Sequence, residues 1–189
     1  MPAHKEIREI TGADVRLYCK DSPAHKAIGC DGINARMVYE APSAIVELFA
    51  LAANTVLGGA ALPHRWCDAL VTFIYKKGDA TATSSYRPIC IGSVLARILA
   101  AHLRMHLETV LEFTDAIHDT QCGFRQDRST WTAGLKIRSS LHRKKEYHLL
   151  LVDVEKAFDS LDFRALIKYL AVIGIDAKCT STIARIYNG

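Results

Sequence analysis

The feature that most constrains the fold of this 189-residue chain is an uninterrupted apolar run, Leu149 to Val152, followed at once by Asp153. A short apolar run without alternation predicts a β-strand buried on both faces. A carboxylate at the end of such a strand loses solvation, which is costly unless something compensates it. Mg²⁺ is a suitable partner, because it takes oxygen ligands and keeps phosphates in its shell. The alternative is that Asp153 only marks the strand end or caps the next turn.

The clearest helix signal begins at Ser93, which can cap the helix that follows. Apolar residues then recur at helical spacing and form a broad stripe. The stripe consists of Val94, Leu95, Ile98, Leu99, Leu103, Leu107, Val110 and Leu111.

Other helices are predicted from the same kind of pattern. One is capped by Ser43 and ended by Gly58 and Gly59. Its apolar positions are Ile45, Leu48, Phe49, Ala52 and Val56. Three more are expected at Ser129–Arg143, from Ser160 to Gly174, and from there to Tyr187.

Two short strands are predicted between these helices. Ala69–Tyr75 is rich in β-forming residues, Lys76–Asp79 is a turn signal, and Tyr86–Ile91 can return as the second strand. The class is therefore α+β, with helices packed on a small antiparallel sheet. Residues 1–28 show weak periodicity and are expected to form a partly ordered lead-in.

Composition limits the class of protein. No apolar run approaches the roughly 18 residues of a membrane span, and the N-terminus lacks a signal-peptide pattern. We expect a soluble intracellular protein without membrane contact, in either nucleus or cytoplasm. The six cysteines include no CxxC pair, which argues against a finger-type zinc site. They are expected to be reduced and mostly buried.

Charge is distributed unevenly along the chain. Residues 64–104 carry six basic against two acidic side chains, and residues 121–148 carry seven against two. Residues 105–120, between these blocks, carry four acidic side chains and no Lys or Arg. The basic blocks are compatible with a polyanion partner, but charge alone favours a solvated charged surface.

Two tryptophans and two histidines have side chains that suit nucleic-acid stacking or metal binding. Trp66 and Trp131 can stack on nucleic-acid bases; packing is the simpler role for Trp66, and the role of Trp131 stays open. His102 and His106 have a spacing that can bind zinc, but the glutamate of HExxH is absent between them. A metal site built on that pair is therefore not expected.

The segment LLLVDVEKAFD, Leu149 to Asp159, resembles motif A of the reverse transcriptases of non-LTR retrotransposons and group II introns. The resemblance implies that Asp153 is the catalytic residue that binds both metals, and that the backbone carbonyl of Val154 helps to hold one. It implies that Phe158 lies under the incoming sugar and favours deoxynucleotides by crowding a 2′-hydroxyl. Asp159 belongs to the pattern and is interpreted as structural.

Four further blocks precede motif A in the order of that family, so that the resemblance covers residues 29–189. They are Gly29–Ile33 (GCDGI), Pro63–Trp66 with Val71–Asp79 (PHRW and VTFIYKKGD), Ser85–Ile89 (SYRPI) and Gln121–Thr130 (QCGFRQDRST). Three positions depart from the usual residues: Cys30 stands for Pro, Ser85 for Asn and Asp127 for Gly. Asp127 places a negative charge in the turn that contains Arg128.

The resemblance also implies roles for basic residues. Arg87 lies beside Pro88 in the predicted hairpin and can bind phosphate oxygens in bidentate fashion, so it is expected to contact the incoming triphosphate. Either Lys76 or Lys77 reaches a phosphate as well, and the sequence leaves open which one. Template binding is assigned to Gln121, Gly123, Phe124, Arg125 and Arg128, with the two arginines on the backbone. Arg143-Lys144-Lys145 either extends this track or forms a solvated helix end.

The architecture implied is the fingers and partial palm of a right-hand polymerase. Residues 1–28 would precede it, residues 29–148 would be fingers-like, and residues 149–189 would begin the palm. The implied activity is RNA-directed DNA polymerisation, in which a dNTP reacts with a primer 3′-hydroxyl on an RNA template. The cofactor, Mg²⁺ or Mn²⁺, is expected only in the complete domain.

The catalytic set is expected to be incomplete in these 189 residues. They contain no Asp-Asp dipeptide, whereas the family's palm continues with a Gln-Gly loop, an F/Y-x-D-D hairpin and a thumb. A two-metal mechanism holds two cations roughly 3.5–4 Å apart, which a single carboxylate cannot do. The chain alone is therefore expected not to polymerise DNA without a C-terminal palm and thumb segment. The alternatives are a catalytically inactive remnant and a nucleic-acid-binding module.

Overall fold

The computed structural model describes residues 6–23, 27–142, 146 and 148–188. The chain divides into two compact units, which are considered separately: residues 1–106 with 176–189, and residues 107–175. Among the described residues the elements are α1 Gly12–Lys20, α2 Ala35–Glu40, α3 Ser43–Leu57, α4 His64–Cys67, β1 Ala69–Tyr75, β2 Tyr86–Gly92, α5 Val94–Phe113, α6 Thr130–His142, α7 Phe163–Val172 and α8 Ala177–Asn188. The α+β class is confirmed. None of these helices is long and apolar enough to cross a membrane.

The sheet is an antiparallel hairpin of β1 and β2, as predicted. Its register runs from Ala69 opposite Gly92 to Tyr75 opposite Tyr86. At the tip the two tyrosine rings meet edge to face, with centroids 5.6 Å apart. The turn beyond them contains Gly78 at φ +100°, a backbone conformation that favours glycine.

Pro88 lies within β2, opposite Phe73. The amide of Lys76 donates to the carbonyl of Ser85 (2.8 Å), so that pair is hydrogen-bonded. Hydrogen-bonded and non-bonded pairs alternate along an antiparallel ladder, which places Pro88 at a non-bonded position. The missing N–H of Pro88 is therefore on the outer edge of the strand, where a proline costs no ladder bond.

The long helix α5 begins where the sequence predicts. The Ser93 hydroxyl accepts a hydrogen bond from the amide of Ala96 (3.1 Å), which satisfies one of the free donors of the first turn. The predicted apolar stripe supplies the buried apolar residues of this helix. These are Val94, Ile98, Leu99, Leu103 and Val110.

Helix α1 was not predicted. Its first turn is closed by a capping box, in which Thr11 and Asp14 satisfy each other's backbone amides. Arg8 adds a bidentate ion pair to Asp14, with both N–O distances at 2.6 Å. The hydrogen bonds from Arg8 hold the pKa of the Asp14 carboxyl well below its usual range. Apolar residues anchor the segment: Ile7, Ile10, Val15 and Cys19 are buried.

A buried histidine joins this N-terminal segment to α5. His102 is 4% exposed; the hydroxyl of Tyr18 lies 2.9 Å from its Nδ1, and its Nε2 lies 2.8 Å from the carbonyl of Arg8. The carbonyl can only accept, so Nε2 carries a proton and Nδ1 accepts from Tyr18. Burial lowers the pKa of His102, which keeps the ring neutral.

The predicted orientation of α3 was wrong. Its buried residues are Val46, Ala50, Ala53, Val56 and Leu57, whereas Ile45 and Leu48 are exposed. The helix is apolar almost all round, so its sequence does not show which face packs. Gly58 ends the helix as predicted, but Pro42 precedes its first residue and Ser43 provides no cap.

The strand predicted at Leu149–Val152 was also wrong. These residues have no ladder partner among the described residues, and their side chains are 60–85% exposed. A strand is stable only when a neighbour satisfies its backbone groups, and the local apolar pattern cannot supply that neighbour. Helix α7 begins at Phe163 rather than near Ser160, because the Asp162 carboxylate accepts from the amides of Arg164 and Ala165.

The six cysteines are free but not mostly buried, which corrects the sequence prediction. Cys19 and Cys179 are buried, Cys122 is intermediate, and Cys30, Cys67 and Cys90 are exposed. The exposed ones lie in a turn, at the end of the short helix α4 and in the two-stranded hairpin, where little chain is available to cover them.

Asp14→Asn is expected to lower the free energy of unfolding by about 1–3 kcal/mol at pH 7, because it weakens a charged, part-buried network. Above the usual aspartate pKa of 3.8 both folded and unfolded chains are ionised, and the full stabilisation is present. Below it the unfolded chain binds the proton first, so the difference between variant and wild type should shrink. Urea unfolding at pH 7 and pH 3 measures this. An equal difference at both pH values would contradict the role of the carboxylate charge.

Candidate nucleotide and nucleic-acid interface

The GCDGI block joins the base of the hairpin to α5. One carboxylate oxygen of Asp31 accepts from the amide of Ile33 (3.1 Å), and the other accepts from the amide of Val94 (2.6 Å). A Cβ on Gly29 would lie 2.5 Å from the carbonyl oxygen of Gly92, so only glycine fits there. The pattern of this block was recognisable in the sequence, but its structural role was not predicted. The available sequence signal for this role was Asp31, which lies between Gly29 and Gly32 and upstream of the predicted start of the long helix.

One face of the hairpin brings two cationic side chains together. Arg87 is opposite Ile74, and the amide of Lys76 pairs with Ser85. Side chains alternate along a strand, so Arg87 and Lys76 share a face at diagonal positions. Both are exposed. Lys77 lies one residue further, in the turn, and the ladder does not fix its direction. The register therefore favours Lys76 over Lys77 as the companion of Arg87.

The opposite face of the same hairpin stabilises the tip. The Tyr75 hydroxyl donates to the carbonyl of Gly78 (2.6 Å), and the Tyr86 hydroxyl donates to the carbonyl of Ala80 (2.8 Å). Asp79 accepts hydrogen bonds from the amide and the hydroxyl of Thr81, which lower the pKa of its carboxyl. The turn that carries the lysines is thus held by its own side chains.

In the second unit, Arg125 of the QCGFRQDRST block is engaged internally. Its guanidinium binds the carboxylate of Glu112 with two hydrogen bonds, 2.8 and 2.6 Å long, and donates to the carbonyl of His118 (3.2 Å). The ion pair lowers the pKa of the Glu112 carboxyl. The Arg125 side chain is only 9% exposed. It ties the loop to the end of α5, and its predicted contact with template stays a prediction.

Two aromatic side chains, one in this loop and one just after it, are exposed. Phe124 is 93% exposed, and Trp131, in the first turn of α6, is 73% exposed. Phe124 has φ +58°, a left-handed conformation that is rare for a bulky residue. Gln121 and Gly123 are also exposed. These aromatic surfaces are available for stacking.

Two further cations near this loop share one acidic residue. Arg128 lies 3.6 Å from the Asp119 carboxylate, and the ammonium group of Lys136 donates to the backbone carbonyl of Asp119. Arg128 retains partial exposure. The cluster Arg143-Lys144-Lys145 lies outside the described residues.

The motif A residues lie in an extended segment and a turn. Asp153, Val154 and Phe158 are all exposed, and Asp153 has no hydrogen-bond or ion-pair partner among the described residues. Asp153 is therefore not forced by burial to find a cation, which corrects the prediction made from the apolar run before it. Its assignment as a metal ligand depends on the motif alone and stays a prediction. Asp153 and Phe158 belong to the second unit, and Arg87 and Lys76 to the first.

Trp66 takes a packing role, since it is half-buried. It lines a cavity of about 340 Å³ in the first unit, together with Leu62, Arg97, Leu99 and Ile186. Trp131, by contrast, is 73% exposed.

Comparison with known proteins agrees with the motif pattern. The family described as reverse transcriptase (RNA-dependent DNA polymerase) matches residues 74–189. A Pol polyprotein of the type-1 retrotransposable element R2 from Popillia japonica is 30% identical over 156 residues, which is 79% of this chain and 20% of that protein. The RNA-directed DNA polymerase of the mobile element jockey from Drosophila melanogaster is 29% identical over 165 residues, or 81% of this chain and 17% of the relative.

A protein of the type-1 retrotransposable element R1DM, also from Drosophila melanogaster, is 29% identical over 92% of this chain and 17% of its own length. The chain thus spans about a fifth of the length of the curated relatives it matches.

The role of Arg125 as a loop anchor can be tested by charge reversal. Arg125→Glu should increase amide hydrogen exchange in residues 115–128, because it places two carboxylates together. Adding Glu112→Arg to that variant should restore much of the protection, as expected for a direct pair. Arg138→Glu, at an exposed position of α6 in the same unit, is the matched control. Hydrogen-exchange mass spectrometry measures the result, and a double variant no better protected than Arg125→Glu would contradict the pairing.

Proposed function

Because the chain belongs to the reverse transcriptase family, we propose that it forms the fingers and the first part of the palm of a retroelement domain that copies RNA into DNA. Residues 29–148 are fingers-like in this proposal, and residues 149–189 begin the palm. The observation that carries it is the exposed hairpin face with Arg87 and Lys76, within the segment that matches the family. It supports a phosphate-binding function that the motif also implies.

The hairpin face is proposed to bind the triphosphate of the incoming nucleotide. A guanidinium binds two phosphate oxygens at once, and a nearby ammonium adds a mobile point charge. Arg87 takes the first role and Lys76 the second. Neither side chain has an ion-pair partner among the described residues, so neither must break a salt bridge in order to bind.

The loop in the second unit is proposed to bind the template. Phe124 and Trp131 supply flat apolar surfaces, on which bases of any identity can stack. Arg128, with the exposed Gln121 and Gly123, contributes the backbone contacts that position a strand without reading its sequence. Arg125 acts through the loop that it anchors.

Catalysis is proposed to require Asp153 and the backbone carbonyl of Val154 as ligands for Mg²⁺ or Mn²⁺. Both are oxygen donors, which suit these cations, and the Asp153 carboxylate has no competing partner among the described residues. Such ions, when bound, activate the primer 3′-hydroxyl and stabilise the leaving pyrophosphate. Phe158 excludes a 2′-hydroxyl. A single carboxylate cannot hold two cations, so the remaining ligands are assigned to a further palm segment, and these 189 residues alone are proposed not to extend a primer.

The triphosphate contact has a matched pair of test variants. Lys76→Gln should weaken binding of dGTP with Mg²⁺ about tenfold, which is typical for loss of one charge-assisted contact. Lys77→Gln, in the same turn, should change it little. Isothermal titration of the 189-residue chain and the two variants measures this. Equal effects of both substitutions would reject the assignment of the hairpin face.

The template contact can be followed with one intrinsic fluorophore, because the chain has two tryptophans. In Trp66→Phe, single-stranded RNA should quench the fluorescence of Trp131. Adding Phe124→Ala should weaken that binding about 5- to 100-fold, which corresponds to the loss of one stacked base.

Trp131→Phe, which retains Trp66, should show no quenching and serves as the control. RNA binding without dGTP binding would favour the second candidate, a nucleic-acid-binding module without polymerase function. Absence of quenching in Trp66→Phe would reject the proposed template surface.

A further inference from the structure

Three metal-ligating side chains converge in the first unit, and none of them has a role in the function proposed above. His106 comes from α5, and Asp176 and Cys179 come from the start of α8. One ligand atom of each, the imidazole nitrogen, a carboxylate oxygen and the thiol sulfur, lies within 4.8 Å of the other two. From these residues we propose a zinc site that fixes the N-terminus of α8 to α5.

The local sequence explains how α8 supplies two of the ligands. Asp176 immediately precedes the helix, and its Oδ1 accepts from the amide of Cys179 (3.0 Å). Residues three apart in a first helical turn lie on one face. Asp176 and Cys179 therefore face the same side, and the Nε2 atom of His106 lies 2.7 Å from the Asp176 Oδ2 atom.

The position of the Cys179 side chain is not explained by an ion pair between His106 and Asp176 alone. His106 and Asp176 satisfy each other, and that contact would be complete without a third residue. The Cys179 side chain is fully buried, and its sulfur has no hydrogen-bond partner among the described residues. A buried thiol that lies beside an imidazole and a carboxylate completes a set of donors that suits Zn²⁺.

Metal binding requires shifts of about 1 Å in the spacing of the ligand atoms. Zinc lies about 2.0–2.3 Å from nitrogen, oxygen and sulfur ligands, so tetrahedral ligand atoms are separated by about 3.4 Å. The nitrogen–oxygen distance would open from 2.7 Å by less than about 1 Å, and the distances to sulfur, which are at most 4.8 Å, would close by at most about 1.4 Å. On binding, the thiol loses its proton to solvent and the neutral imidazole donates its lone pair. The thiolate and the carboxylate together balance the charge of the ion.

The fourth coordination position is left for a water molecule. The side chains of His106 and Asp176 keep 15% and 11% of their exposure, which gives the site a narrow opening. Three protein ligands and a water leave one coordination position open, unlike the closed four-ligand sites that are typical of structural zinc. The proposed role rests on the origin of the ligands, which come from α5 and from the start of α8. Residues on two helices that are 70 positions apart in sequence would be fixed together.

Cobalt substitution tests the proposal directly. The tag-free chain, kept reduced, should bind one Co²⁺ with the intense visible absorption of four-coordinate cobalt and a near-ultraviolet thiolate-to-cobalt band. Zn²⁺ should displace the cobalt and raise the melting temperature. Cys179→Ser should lose the thiolate band, and its affinity should fall at least about 100-fold. His106→Gln keeps a donor for Asp176 but removes the metal-binding nitrogen, and it should lose affinity in the same way.

Cys19→Ser is the matched control, because Cys19 is a buried thiol in the same unit that lies outside the cluster. It should bind cobalt like the wild type. The absence of a thiolate band in the wild type, or an unchanged band in Cys179→Ser, would overturn the proposal and leave an ion pair only. No part of this test depends on nucleotide or RNA binding, so its failure is distinguishable from failure of the proposed function.

Discussion

The first unit depends on the hydrogen bonds that cap the start of α5. The first backbone amides of any helix lack partners, and here Asp31 and Ser93 satisfy two of them. Asp31 comes from a turn more than sixty residues earlier, so a capping interaction is also a long-range one. Gly29 allows that turn to lie directly against the end of β2. The direction in which the hairpin leaves the helix is therefore set by a carboxylate and a missing Cβ.

What the sequence predicted correctly was local. The hairpin is determined by β-forming residues on both sides of a glycine turn, and α5 by a cap and a stripe of apolar residues. Helix α1 was missed because it is short and its cap uses Asp14 at a position where glutamate or glutamine is the usual signal. The sequence predicted that α3 forms, but it did not predict which face of α3 is buried, since almost every face of that helix is apolar.

The predicted strand at Leu149–Val152 shows the limit of local patterns. An apolar run indicates that a segment prefers burial, but the segment that would cover it lies in another part of the sequence. The same holds for the site. Arg87, Phe124 and the pair Lys76 and Lys77 could be selected from the motif. The choice of Lys76, the Arg125–Glu112 pair and the convergence of His106 with Cys179 require the structure.

Pro88 has a consequence for how the hairpin behaves in solution. Both strands carry exposed apolar side chains, among them Phe73 of β1 and Ile89 of β2, and a ribbon of this kind tends to recruit strands from other molecules. Such recruitment proceeds through the outward row of amide donors on a free edge. Pro88 removes the donor in the middle of that row on β2. The outer edge of β2 is therefore a poor template for intermolecular strand pairing. Pro88 disfavours aggregation through this edge without removing a hydrogen bond between β1 and β2.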